Sequence, residues 1–236
     1  MSVEQLRKHY ETIWTETPGW RELEAFTNAL TASHDREHLE FHYSLLEDDE
    51  HWYPYCSIRS AFEEHGAAGE DFLIEKFQVE ERPGLKGDAL QLLGHMKSKS
   101  ARSFAKEVAD DRNESLRYRA AIVLGWVGTV GDMKTVLRKR VLDDSSAFVR
   151  GNAATACRQV WYRRSAAKEP AIDILGEALP LEQDEDAIAG IVVSLQTIMK
   201  RRFGLREPDN DERDYVGDVA KAKTRALRAL AKRKET

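Results

Sequence analysis

Apolar residues recur at spacings of three and four along most of this chain. Leu116, Ala120, Val123, Leu124 and Val127 fall on one stripe of a helix. A break at 129–131 follows, and Met133, Val136, Leu137 and Val141 form a second stripe. The pattern predicts two helices joined by a short turn. Upstream, Leu6, Ile13, Leu23, Phe26, Leu30, Leu39, Tyr43 and Leu46 predict three helices over 2–14, 20–31 and 35–47, with breaks at Pro18, Gly19, Ala32 and Ser33. A last helix is predicted over 213–234, with Ala and Leu on one face and Lys and Arg around it. Val, Ile and Thr never settle into sustained alternation, so strands are not expected.

The two-helix pattern repeats. DDRNESLRYRAAIVLG from Asp110 aligns with DDSSAFVRGNAATACR from Asp143 at an offset of 33, matching Asp111 with Asp144, Leu116 with Val149 and Arg117 with Arg150. The small pairs Ala120, Ala121 and Ala153, Ala154 also match, and would let neighbouring hairpins approach closely. One unit earlier, at 31 residues, Leu85 and Lys86 stand opposite Leu116 and Arg117; another 31 back lie Asp48, Asp49 and Pro54. Downstream, EDAIAGIVVSLQTI fits at a spacing of 38. A hairpin of this size cannot bury its apolar face alone and must stack on neighbours. The paired aspartates before each unit are expected to supply the turn and the N-cap oxygens.

The Asp-x5-Arg spacing, followed by Ala-Ala-x-x-Leu-Gly-x-x-Gly in 120–128, resembles HEAT repeats, and most closely the short type first noted in phycobilisome lyases. The resemblance is specific across 84–160 and weaker across 48–80 and 181–203, where Tyr55 and Ile188 replace the repeat Arg. It implies an all-α fold: a right-handed α-solenoid of about five HEAT-like hairpins. Residues 1–236 are then one domain, with a helical cap over 1–47, repeats over 48–207 and a capping helix over 208–236. The family implies a fold and a binding surface rather than one activity.

Charge sharpens the picture. Residues 1–100 hold 10 Lys+Arg against 20 Asp+Glu, a net of −10, whereas 101–236 hold 26 against 21, a net of +5. All seven histidines precede residue 96. Such asymmetry steers partners of opposite sign to opposite ends. Only Cys56 and Cys157 occur, so neither a disulfide framework nor a Cys-x-x-Cys metal site is available. No apolar run reaches about 18 residues and the N-terminus lacks a signal-like apolar core, so a cytoplasmic protein without membrane attachment is expected.

Candidate chemistry is sparse. His34, His38 and His42 share one helical face, a spacing that can chelate zinc or nickel or equally mark an ordinary packed helix. Asp111, Arg117, Asp144 and Arg150 recur at the repeat period, which favours a structural ladder between neighbouring turns over an acid with an electrophile. Trp52 and Tyr53 at a helix start, and Trp126 and Trp161 late in repeat helices, read as partner-binding anchors or base-stacking platforms. Packing of Trp126 on a neighbouring loop is the competing reading. In HEAT folds the second helix of each hairpin lines the concave face, where Glu75, Lys134 and Arg138 are candidate contacts in a groove running from acidic to basic. No nucleophile–base pair, phosphate loop or HExxH motif is present, and no catalytic residue, metal or cofactor is expected.

The leading expectation is a non-enzymatic binding protein that holds a macromolecular partner, most of all a protein, in its groove. An adaptor or a toxin-neutralising immunity protein fits, with a basic partner at the acidic N-terminal half. The alternative is a HEAT-like nucleic-acid-binding protein or alkylpurine DNA glycosylase, for which Trp126, Asp132, Arg138 and Trp161 offer aromatic, acidic and basic groups. A pI near 5.9 for the whole chain works against that alternative. A repeat lyase or hydroxylase is a third reading, and no His/Glu metal set at repeat spacing occurs over 96–236.

Overall fold

Each predicted stripe buries its apolar side and becomes a helix. The computed structural model describes residues 1–13, 19–47, 52–207 and 215–234, with the side chains of 52–56 and 234 outside that description. The chain divides into two compact units, Met1–Ser100 and Ala101–Thr236. Among the described residues no strand occurs, only an isolated antiparallel bridge between Arg206 and Val216. None of the described helices is long and apolar enough to cross a membrane.

In the first unit, helices α1 (Val3–Ile13), α2 (Trp20–Leu30) and α3 (Arg36–Ser44) match the stripes that predicted them. Leu6, Phe26 and Leu30 are fully buried and meet Phe41 and Ile58 in one core. Asp35 caps α3 by accepting the His38 N–H at 3.0 Å. Next come α4 (Trp52–Ala61), a 3-10 turn (Phe62–His65), α5 (Gly66–Val79) and α6 (Pro83–His95). Gly66 makes the sharp passage into α5 at φ 58°, a region that other residues enter at a cost. Pro83 opens α6, where its missing N–H and fixed φ suit the first turn.

The second unit begins with α7 (Ala101–Glu107) and α8 (Glu114–Val127). Then α9 (Val130–Asp132) passes through a π-helical turn (Met133–Leu137) into α10 (Arg138–Asp143). Met133, Leu137 and Val141, spaced by four, all face the core. The unit is completed by α11 (Ala147–Arg163), α12 (Lys168–Ala178), α13 (Glu185–Met199) and α14 (Val219–Lys234). The caps of α8 and α11 are Asn113 and Ser146, which accept the N–H groups of Leu116 and Val149 at 3.3 Å. The preceding Asp111 and Asp144 hold the turn itself, accepting from Asn113 N and Ser146 N. The expectation that the aspartates are the caps is thus corrected by two residues.

Helices α8, α11 and α13 lie side by side in chain order, while α10, α12 and α14 make a second row. Two layers of hairpins stacked in sequence order are the arrangement of an α-solenoid. Small residues set the approach: a Cβ added to Gly190 of α13 would lie 2.9 Å from the Gly151 carbonyl of α11. Val123, Leu124, Val160 and Ile191 are fully buried between these helices, each stabilising by about 2 kcal/mol relative to exposure. The last helix starts later than its stripe suggested. Gly217 at φ 133° and the Arg206–Val216 bridge hold the chain extended up to Asp218, whose carboxylate then accepts the Lys221 N–H.

Candidate functional site

The repeated arginines act between hairpins. Arg117 Nε and Nη2 donate to the two carboxylate oxygens of Asp144, each at 2.9 Å. Its Nη1 donates to the carbonyls of Asp111 and Arg112 at 3.0 Å. Arg150 repeats the arrangement one hairpin on, with Nη1 on the Asp144 carbonyl and the fork on Glu182 at 2.5 and 2.8 Å. Each arginine therefore ties the turn beneath it to the acid of the following repeat. Arg117 is 8% exposed and Asp144 4%, so the pair is desolvated. Burial pushes the Asp144 carboxyl up, yet the bonds from Arg117 and Ser146 outweigh it and hold the group below its ordinary range. Glu182 is held low first by Arg150. Glu182 stands 38 residues after Asp144, the spacing of the last repeat, so the change from Asp to Glu hid it.

Most charges on the second helices are also committed. Glu75 accepts both guanidinium nitrogens of Arg36 at 2.6 and 2.8 Å, and Lys76 pairs with Glu40. Arg138 donates to Glu177 at 2.5 Å, and Lys139 and Arg140 share Asp110. Arg233 of α14 clamps Asp173 and Glu169 of α12. Asp132, offered by the sequence as a catalytic acid, is buried. Its two oxygens accept Arg102 at 2.6 and 2.9 Å and the N–H and hydroxyl of Thr129 at 2.8 Å. Burial raises its pKa and those four bonds lower it further, to about 2. Lys106, Lys134 and Lys168 in the second unit, and Glu70 and Asp71 in the first, make no such pair among the described residues.

The aromatics divide. Trp126 is half-buried near the end of α8. Trp161, also half-buried, stacks on Tyr162 with ring centroids 5.0 Å apart, and Tyr162 is 63% exposed. Arg163 beside them donates to the carbonyls of Gly125 and Gly128 at the end of α8. Trp52 and Tyr53 begin α4, and their side chains lie outside the described residues. In the sequence Tyr162, Arg163 and Arg164 extend the same helix end as Trp161 and share its reading as an anchor or stacking platform.

The histidines do not share one site. His38 turns to the Asp35 carboxylate at 2.9 Å and the Met1 carbonyl at 3.0 Å. His42 Nε2 lies 2.7 Å from the Ile58 carbonyl, which can only accept. A neutral His42 must then accept at Nδ1, from His65 Nε2 at 2.9 Å. His65 Nδ1 in turn accepts from His34 Nδ1 at 3.1 Å. One carbonyl so orders three tautomers in a line. A first extra proton fits on Nε2 of exposed His34 without losing a bond. A second has no place except on a nitrogen that already accepts, and breaks the line. Burial lowers His42 to about 3 and His65 to about 4, the latter helped by the neighbouring His34 and His38. Among the described residues no three His, Cys, Asp or Glu side chains converge as a metal-ligand set. His65 lies 31 residues from His34, the offset of the early repeats, and 23 from His42, outside the helical face that His34, His38 and His42 share.

Cys157 is fully buried in the α11 interface and its thiol is pushed up to about 12, so it packs as an apolar group. No curated protein matches the sequence. A family model of HEAT repeats matches residues 70–158, the stretch that contains the Arg117–Asp144 rung and the paired small residues of α8 and α11. Over residues 70–158 the chain is therefore similar to HEAT repeats.

Proposed function

We propose that this chain is a non-catalytic binding protein that holds a protein partner against the second helices of its HEAT repeats. The observation that carries this reading is the division of charge on those helices. The groups that could do acid–base or electrophilic chemistry, Asp132, Asp144, Arg117 and Arg150, spend their bonds on the fold. What is left over is acidic on α5, at Glu70 and Asp71, and basic in the second unit, at Lys106, Lys134 and Lys168. A basic patch on the partner suits the first unit, whose net charge is −10. An adaptor or an immunity protein that neutralises a basic toxin fits this pattern. The repeat offsets of 31 and 33 residues favour the short, phycobilisome-lyase type of repeat. The same reading assigns the protein to the cytoplasm, where the Cys157 thiol stays reduced.

The test is affinity capture from the native source with tagged protein at about 50 and about 300 mM salt. One protein recovered in near-equal amount at low salt, and lost with Glu70→Lys plus Asp71→Lys, supports the reading. Recovery of nothing, or of a protein indifferent to charge reversal on either unit, overturns it.

A further inference from the structure

The C-terminal ends of α8, α11 and α13 form one edge of the second unit. Arg163, closing α11, reaches the Gly125 and Gly128 carbonyls at the end of α8. Lys168, just past α11, and Met199 and Arg201, at the end of α13, line one cleft of about 340 Å³ with Lys232 of α14. Arg164, Lys168, Lys200, Arg201 and Arg202 on this edge are exposed and make no pair among the described residues. The acid in the cleft, Glu169, is taken by Arg233. The Arg163 guanidinium is pushed below its ordinary value first by burial and then by the like charge of Arg164.

The edge is rigid. Lys200 ends α13 in the left-handed conformation, and Arg201 N–H returns to the Gln196 carbonyl at 2.9 Å. Gln196 then holds the outgoing chain by donating to the Leu205 carbonyl at 2.7 Å and accepting the Phe203 N–H at 3.2 Å. Cations near helix C-termini suit the helix dipole, which accounts for one or two such residues per end. It does not account for the exposed aromatic ring on the same edge. Tyr162, against Trp161 and directly before Arg163 and Arg164, is 63% exposed.

We propose that this edge binds single-stranded nucleic acid, with a base stacked on Tyr162 and phosphates held by Arg164, Arg201, Arg202 and Lys168. Planar guanidiniums match phosphate oxygens two at a time, and an aromatic face accepts any base. An acidic peptide would use the cations and leave the ring idle. The whole chain is acidic, but residues 101–236 carry +5, and the field that a strand meets is local. This surface shares only Lys168 with the second-helix charges proposed to hold a protein, and Tyr162, Arg201 and Arg202 belong to it alone, so either reading can fail alone.

The experiment is fluorescence anisotropy of a labelled single-stranded oligonucleotide of about 15 nucleotides, titrated with the full chain at about 50 and about 200 mM salt. Four phosphate contacts predict a slope of log K against log salt of about −3. Tyr162→Ala should weaken binding about tenfold, Arg201→Glu with Arg202→Glu should abolish it, and Arg112→Glu, in the exposed turn before α8, should leave it unchanged. No anisotropy change at the lower salt overturns the proposal. So does Tyr162→Ala binding as well as the parent, or polyglutamate of similar length displacing the oligonucleotide at equal concentration.

Discussion

The two units answer one structural problem with different chemistry. In the second, neighbouring hairpins are tied by guanidinium forks, Arg117 on Asp144 and Arg150 on Glu182. In the first, the position matching Arg117 two repeats earlier is Tyr55, and the acid matching Asp144 is Glu80. With no repeat arginine to receive, Glu80 takes Arg82 two residues away, which also pairs with Glu47. The work of fastening is shared between the pair of Arg59 with buried Asp88 of α6, at 3.1 Å, and neutral groups. The line His34–His65–His42–Ile58 ties the start of α3 to its end and to α4. Phe62 and Phe72 stack around it, with His42 4.6 Å from Phe62. A repeat frame therefore specifies where hairpins must be joined and leaves the joining chemistry free to change.

The largest expected effect separates the two chemistries directly. Arg117→Ala removes the fork from a buried carboxylate and should destabilise the second unit by about 3 kcal/mol, the range for breaking a desolvated pair when Arg140 remains as a second partner. Chemical denaturation followed by Trp fluorescence measures it. Arg36→Ala breaks an equally bidentate pair, with Glu75, on the exposed face of the first unit, and should leave the melting temperature unchanged. Equal losses from both variants would remove the distinction between buried rung and surface pair.

Second in size is Gly190→Ala. The added methyl meets backbone at 2.9 Å, so α11 and α13 must move apart, and a loss of about 2 kcal/mol is expected although Ala is the better helix former. A gain in stability would show that the close approach of these helices does not matter.

Acid sharpens the comparison further. Burial holds His42 and His65 below the unfolded value near 6.5, so the unfolded chain binds more protons and stability drops as pH falls. Their contribution is whole above about 6.5 and is lost through the interval down to about 4 and 3. His38 opposes them in part. Burial lowers it, but the Asp35 carboxylate and Met1 carbonyl more than compensate, so its share is present below 6.5 and lost above its raised value. The charges on the surrounding elements are held elsewhere, Arg36 by Glu40 and Glu75, Arg59 by Asp88 and Glu63 by His95; among the described residues Glu70 and Asp71 of α5 form no ion pair with the line. The second unit has no histidine. Its acid loss waits for Asp144, Glu182 and Asp132, whose lowered values keep their stabilisation until pH falls below the ordinary carboxylate range near 4. His65→Gln should flatten the dependence of the first unit between pH 6.5 and 4.5, read by circular dichroism melting at each pH.

The helices were legible because apolar spacing is a local signal: α1, α2 and α3 begin and end within a few residues of their stripes. The start of α14 was not, since Gly217 and a bridge from Arg206 decide it. Among the candidate residues, Arg117 and Arg150 stood out by recurrence. So did Asp144, which receives Arg117, whereas Glu182, which receives Arg150, did not, because it is a Glu at the longer offset of 38. Glu75, Arg138 and Asp132 looked like uncommitted charge on a binding face. A sequence shows the sign of a side chain but not whether another element has already neutralised it. The histidine line escaped for the same reason, its partner His65 arriving from a separate turn.

Amide hydrogen exchange read by mass spectrometry at pH 6.5 and pH 4.5, corrected for intrinsic rates, tests the division of labour most directly. Peptides from α3 and from Phe62–His65 should lose protection at the lower pH while those from α8 and α11 keep theirs. Loss in both units together, or in neither, would contradict the account.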